Sequence, residues 1–352
     1  MFPLIIINRK KLIDNIENVL KMSRENNIPY ITFVVKAFSG NEEILSIINS
    51  TSLKSIGDSR IENLKKFQSL PIEKMLLRIP MLSEVRDVIK YADISLNSEL
   101  PVIEALNAEA KAQNKIHDIL IMFDLGDLRE GLYYKSDYLP FIKKVLSLQN
   151  INIKGIGTNL TCYGGLIPDE IILNRLVQIK NKIENGFSIK LDIISGGNSS
   201  SVTLFNQNII PKEINHLRLG ESILFGKETS YSKEIKGLNH DVFLFQAEII
   251  ECKTKPSFPD GTITINSFGE VPQIEDKGMI TRLILAIGKQ DVILENLVPI
   301  DENLSILGGS SDHLILESKN NKYKVGNIVT FKINYPALVH LMNSNYVKKD
   351  FQ

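Results

Sequence analysis

Apolar runs and helically spaced apolar positions alternate along the first two thirds of the chain. Ile31-Thr32-Phe33-Val34-Val35 is an almost continuous apolar run, closed by Lys36 and followed by Gly40-Asn41. Such a run, bounded by turn residues, predicts a strand buried on both faces. Before it, Leu12, Ile13, Ile16, Val19, Leu20 and Met22 repeat at helical spacing over residues 10 to 25. Further strands are predicted at 55–58, 74–79, 93–96, 118–123, 153–158, 191–195 and 216–219. Helices are predicted between them, at 41–48, 60–67, 83–91, from 97 or 98 to 112, at 136–148, 169–184 and 200–206. Eight strand–helix alternations by about residue 226 match a closed (β/α)8 TIM barrel. An open doubly wound sheet would usually carry a glycine-rich dinucleotide loop after its first strand, and this chain has none there.

The pattern changes near residue 240. Strands are predicted at 242–250, 280–287, 290–294, 304–307, 313–317 and 328–333, punctuated by Pro256, Pro259, Gly261, Gly269 and Pro272. A helix is expected only within the last twenty residues. The expected organisation is a barrel over residues 9–228 and a C-terminal all-β domain over 229–352. Residues 1–8 (Met-Phe-Pro-Leu-Ile-Ile-Ile-Asn) read as a strand added to the second domain.

Composition narrows the classes without choosing one. At 352 residues two domains are expected, and 43% apolar residues can fill large cores. Lysine plus arginine and aspartate plus glutamate balance at 41 each, so no global field favours nucleic acid or an anionic membrane. No apolar run reaches transmembrane length. The N-terminus lacks the features of a secretory signal. Two cysteines, Cys162 and Cys252, imply no disulfide framework and fit a reducing cytoplasm. His117, His216, His240 and His340 show no metal-ligand spacing.

In a barrel of parallel strands the residues just past the strands converge on one mouth. Lys36 falls there. Desolvation at the mouth would lower its pKa and free the amine to attack a carbonyl, as a Schiff-base lysine does with an aldehyde cofactor. The alternative is a strand-end lysine reaching solvent. After the seventh strand, Ser195-Gly196-Gly197-Asn198-Ser199-Ser200-Ser201 joins flexible backbone to hydroxyls at a helix start, which suits phosphate. Gly220 and Glu221, after the eighth strand, could complete the cup with backbone N–H groups. Arg218, near the end of that strand, needs an acceptor if buried. A pyridine nitrogen would serve, and so would an ion pair with Glu213 or Glu221. Asp124-Leu-Gly-Asp-Leu-Arg-Glu-Gly131 holds four charges, with Arg129 suited to a carboxylate or a phenolate oxygen. A solvated loop is the plain alternative. In the second domain, Gly308-Gly309-Ser310-Ser311-Asp312-His313 forms a polar tip with acid–base capacity, or a hairpin turn with a surface histidine.

Taken in order, these residues resemble the fold-type III pyridoxal-phosphate enzymes, the alanine racemase superfamily, over nearly the whole chain. Gly57-Asp-Ser-Arg-Ile-Glu-Asn63, Leu76-Leu-Arg-Ile-Pro80, the segment 124–131, Gly157-Thr-Asn159, Cys162-Tyr-Gly-Gly165 and Ser310-Ser-Asp-His313 are similar to the ornithine racemase branch. The resemblance implies an amino-acid racemase with pyridoxal 5'-phosphate held covalently by Lys36, which then serves as one acid/base. It implies that Arg129 contacts the phenolic oxygen and the substrate carboxylate, and that Arg218 meets the pyridine nitrogen. Ser199, with Asn198, Gly220 and Glu221 around it, would bind the phosphate. Asn159 would lie near the ring, where alanine racemases carry a histidine. Ser311 and Asp312 would reach the substrate carboxylate from the partner of a head-to-tail homodimer.

One departure concerns the second base. The family's tyrosine position is occupied by Phe268, which carries no proton. Racemisation needs an acid on each face of Cα. His313 is the first substitute, ahead of Cys162, Tyr163 and Tyr335. Asp124, Asp127, Glu130 and Glu221 are the residues expected to compete for a distal ammonium. Within the fold the alternative activity is basic amino-acid decarboxylation, although Cys252-Lys253 does not match that group's Cys-Asp pair. Outside enzymes, a pyridoxal-phosphate-binding protein without catalysis is the other reading.

Overall fold

The structure, a computed structural model, describes the chain except Ser267, Glu270 and Asn321. It divides into two compact units, Lys10–His240 and Met1–Arg9 with Asp241–Gln352.

After strand β1 (Leu4–Ile7) and helix α1 (Arg9–Glu25), the barrel strands follow: β2 (Tyr30–Val34), β3 (Ser55–Asp58), β4 (Glu73–Leu76), β5 (Ile94–Asn97) and β6 (His117–Asp124). A two-residue strand, β7 (Leu132–Tyr133), pairs only with the end of β6. Then come β8 (Ile151–Gly157), β9 (Ile193–Ser195) and β10 (His216–Leu219). Strands β2 to β6 and β8 to β10 pair in parallel and in sequence, and β10 pairs with β2, so the eight-stranded ring closes. The helices between them are α2 (Glu43–Asn49), α3 (Ile61–Lys66), α4 (Val85–Tyr91), α5 (Leu100–Ala112), α6 (Leu139–Leu146) and α7 (Glu170–Phe187). The segment Ser199–Leu204 is a 3-10 turn rather than an α-helix, and a short helix missing from the sequence reading, α8 (Glu221–Phe225), follows β10.

The strand period of two explains why these runs look uniformly apolar. On β6, Ile119, Ile121 and Phe123 pack in the cluster that includes the surrounding helices, through Ile103, Ile142 and Leu176. The alternate residues Leu120 and Met122 pack with Met75, Ile94, Leu96 and Ile193 in a separate cluster made of strand residues. Elsewhere the alternation lines up polar residues: Thr32, Ser195, His216 and Arg218 are buried, while Leu217 and Leu219 lie on the other face of β10.

The boundary after the barrel lies later than residue 228. Residues 229–240 fold with the barrel unit because Asn15, fully buried on α1, donates to Ile223 O and Asn239 O, both at 2.9 Å, and accepts from Asn239 N at 2.7 Å. Leu238 is buried beside them.

The second unit is a sheet of eight strands. Its members beyond β1 are β11 (Phe243–Pro256), β12 (Met279–Leu285), β13 (Leu297–Pro299), β14 (Leu304–Gly309), β15 (Leu314–Ser318), β16 (Ile328–Ile333) and β17 (Lys348–Phe351). The N-terminal strand β1 runs antiparallel to β11 and parallel to β17. Helix α9 (Tyr335–Asn343) is capped by Asn334, whose side chain accepts from Ala337 N at 3.1 Å. The strand expected at 290–294 is not formed: Gly288 O takes the N–H groups of Asp291 and Val292, which makes a turn there.

Candidate active site

Lys36 follows β2 by two residues and opens a 3-10 turn over Lys36–Phe38, closed by Ser39 in the left-handed conformation with φ 55°. Val35 N still bonds Gly57 O, so the chain leaves the ring only at Lys36. The expectation that Lys36 is desolvated is not met in the single chain, where its side chain is exposed. Its charge nevertheless acts on its neighbours. Burial raises the Asp58 carboxyl to about 6, against the hydrogen bonds from Arg60 N and Asn63 and the opposing pull of Lys36. Burial also raises the Cys162 thiol, against the pull of Arg129, Lys36 and Arg218. Three cations thus converge electrostatically on Cys162, whose Sγ accepts from Asn198 Nδ2 at 3.2 Å.

The loop after β9 and the start of α8 form a cup. Gly220 N and Ser222 N each point at Ser199 Oγ, at 3.2 Å. Ser199 is buried, and its hydroxyl also meets Ser222 Oγ at 3.1 Å. Asn198 caps the turn, accepting from Ser200 N at 2.8 Å, and anchors it to Leu160 O. Gly197 has φ 118°, in the region that favours glycine. A Cβ on Gly220 would stand 3.2 Å from Val34 Cβ, so glycine there lets the backbone come close to β2. The Glu221 carboxylate accepts from Thr229 Oγ1 at 3.1 Å, and burial raises its pKa.

Arg218 is buried, and among the described residues no ion-pair partner contacts it. It donates to Ser195 Oγ, to Thr158 O at 2.6 Å and to Asn159 Oδ1 at 2.7 Å, all neutral acceptors. The ion pairs with Glu213 or Glu221 admitted by the sequence are not formed. Burial lowers its pKa to about 10, with Glu130 opposing the shift and Arg129 adding to it. A Cβ on Gly157 would stand 3.1 Å from Ser195 Cβ and 3.2 Å from Met122 Sδ, so glycine there relieves crowding inside the ring.

Asn159 passes the contact on by donating to Glu130 Oε1. Glu130 in turn takes two bonds from Arg129, one from Nε and one from Nη2 at 2.6 Å. Glu130 is therefore engaged by both Arg129 and Asn159. Asp127 is also engaged. It is buried, and its carboxylate accepts from Cys162 N, Tyr163 N and Leu166 N at 3.0–3.1 Å. Asp124 turns the same loop by accepting from Gly126 N and Leu128 N.

In the β-domain, Asp312 Oδ1 gathers Ser310 Oγ, Ser311 Oγ and His313 Nδ1 at 3.1, 3.2 and 2.9 Å. The His313 hydrogen bond holds the Asp312 carboxyl below its ordinary value. Both residues are exposed or nearly so. Phe268 is exposed, with Lys289 Nζ 4.4 Å from its ring centroid. Tyr163 is exposed on the barrel unit, and Tyr335 opens α9. Cys252 lies on β11 with its thiol on Tyr323 O.

A closed parallel barrel followed by a separate, mainly antiparallel sheet is the fold of the alanine racemases. The chain belongs to the family described as Alanine racemase, N-terminal domain, which matches residues 7–228. It is 48% identical over 352 residues to the ornithine racemase of Acetoanaerobium sticklandii, covering 99% of both chains. It is 33% identical over 355 residues to the lysine racemase of Thermotoga maritima, covering 100% of this chain and 99% of that one. Among solved structures, the alanine racemase from Bartonella henselae with covalently bound pyridoxal phosphate aligns over 100% of both chains, with a TM-score of 0.75 at 16% identity. Among the described residues no helix is long and apolar enough to cross a membrane.

Proposed function

We propose that this protein is an amino-acid racemase that uses pyridoxal 5'-phosphate and acts on ornithine or a closely similar basic amino acid. The observation that carries the reading is the grouping, at the carboxyl ends of one closed ring, of Lys36, the Ser199 cup and the buried Arg218. Homology at 48% to an ornithine racemase over the full chain supports the substrate class.

The residues present fit the cofactor. Two N–H groups already aimed at Ser199 Oγ, beside Gly197 and Gly220, suit a phosphate. A buried guanidinium held by neutral acceptors suits an unprotonated ring nitrogen. Lys36 is the amine that would carry the aldehyde, and Arg129 suits the phenolic oxygen or the substrate carboxylate. When bound, pyridoxal phosphate withdraws electrons from Cα and makes its proton removable.

Arg218 limits how far that withdrawal reaches into the ring, because a guanidinium does not surrender a proton to the ring nitrogen. This favours proton transfer at Cα. Lys36 would take or return the proton on one face. His313 would do so on the other, with Asp312 holding Nδ1 and leaving Nε2 outward. That role requires a head-to-tail homodimer in which the Ser311, Asp312 and His313 of one subunit meet the barrel mouth of the other.

The test is incubation with L-ornithine, following optical rotation and CO2 together. Loss of rotation without gas is expected. CO2 release without the D-enantiomer would replace racemisation with decarboxylation.

A further inference from the structure

The contacts of Arg218 continue down through the inside of the barrel. Arg218 Nη1 donates to Ser195 Oγ, and that oxygen lies 2.7 Å from His216 Nδ1. His216 Nε2 lies 2.9 Å from Thr32 Oγ1, which is 2.8 Å from Ser55 Oγ. Five residues on four strands thus join the mouth to the amino-terminal end of β3.

The direction of this chain is fixed at its Arg218 end. A guanidinium only donates, and a hydroxyl has one hydrogen to give. Ser195 takes a hydrogen from Arg218, so its own O–H goes to His216 Nδ1. With Nδ1 accepting, the neutral imidazole carries its hydrogen on Nε2 and gives it to Thr32 Oγ1, whose own hydrogen goes to Ser55 Oγ. One arrangement satisfies every group: Nδ1 bare and Nε2 protonated.

We propose that His216 is a positioning residue for Arg218. The chain locks its imidazole in the neutral Nε2–H form and, through Ser195, fixes the guanidinium. The consequence for catalysis rests on the racemase reading above; the tautomer does not. An imidazolium, or the Nδ1–H form, would send a second N–H into Ser195 Oγ and leave the serine hydrogen without an acceptor. Burial, and the positive charge of Arg218, push the His216 pKa to about 3, in the same direction. The other charged group near the chain is Glu73, which faces Ser55 across β3 and β4 at the far end and is itself acted on by Lys154, Asp93 and Asp118.

The test reads the imidazole directly. With 15N-histidine incorporated in the whole protein, a two-bond 1H–15N correlation should show His216 with bare Nδ1 and protonated Nε2, unchanged between about pH 5 and 8. The signal is assigned by its loss in His216→Gln. The Nδ1–H form, or an imidazolium within that range, would overturn the proposal. In Ser195→Ala the cofactor absorption should shift and kcat should fall roughly ten- to hundredfold, with KM for the amino acid changed little. Ser195→Thr should restore both. Unchanged kcat and absorption in folded Ser195→Ala would remove the positioning role. The expected tautomer in a parent protein that racemises nothing would support the chain and sink the racemase reading alone.

Discussion

Glu130 is shared between Arg129 and Asn159, both of which donate to its carboxylate. Asn159 also accepts from Arg218 at 2.7 Å, so the two arginines are tied through one carboxylate and one amide. The acid separates the charges of two cations that would otherwise repel, and it raises the pKa of Arg129 against the burial that lowers it. Glu130→Gln keeps the shape and removes the charge. It should lower kcat/KM roughly ten- to hundredfold, as loss of a hydrogen bond to a charged group does. Steady-state kinetics check it; a variant as active as the parent would show that the link is idle.

Ser199 receives two backbone N–H groups in the cup. Ser199→Ala removes one hydroxyl and leaves the backbone donors. Affinity for pyridoxal phosphate should weaken about tenfold, without comparable loss of stability. Fluorescence titration of cofactor-free protein measures it, and equal affinity in the two proteins would exclude Ser199 from the phosphate site.

Asp127 fastens the loop after β8 by taking three N–H groups on a buried carboxylate. Asp127→Ala strands those donors. A loss of about 2–4 kcal/mol in urea unfolding is expected. A loss below about 0.5 kcal/mol would mean the loop reorganises freely.

Asp58 has a pKa raised from 3.8 to about 6, chiefly by burial. Below the unfolded value its neutral form contributes in full. Between about pH 4 and 6 the unfolded chain has released the proton and the folded one retains it, so this contribution to stability is lost as pH rises. The total is about 3 kcal/mol from roughly two pKa units. Unfolding curves for Asp58→Asn should lack this slope; parallel curves for variant and parent would refute it.

The barrel was legible because each strand is buried on both faces. The run Ile119 to Phe123 packs outward through Ile119 and Ile121 and inward through Leu120 and Met122, so its apolar signal is unbroken. Helix α8 escaped notice because five residues give too little periodicity. Residues 290–294 read as a strand from their apolar residues, but the carbonyl of Gly288 turns the chain there. The loop acids were harder. Asp127 and Glu130 sit among glycines and look solvated, yet folding carries them onto N–H groups and an arginine distant from any local pattern. The polar stripe of His216 and Arg218, alternating with Leu217 and Leu219, was not read from the sequence, because its partners Ser195 and Thr32 lie on other strands.

In the proposed reaction Lys36 moves the Cα proton of a basic amino acid. The direct measurement is incubation of the cofactor-loaded protein with L-ornithine in deuterium oxide, with chiral separation and proton NMR of the product. D-ornithine carrying deuterium at Cα should accumulate toward an equal mixture, and Lys36→Ala should abolish it. Retained L configuration with no exchange, or undiminished racemisation in Lys36→Ala, would contradict the account.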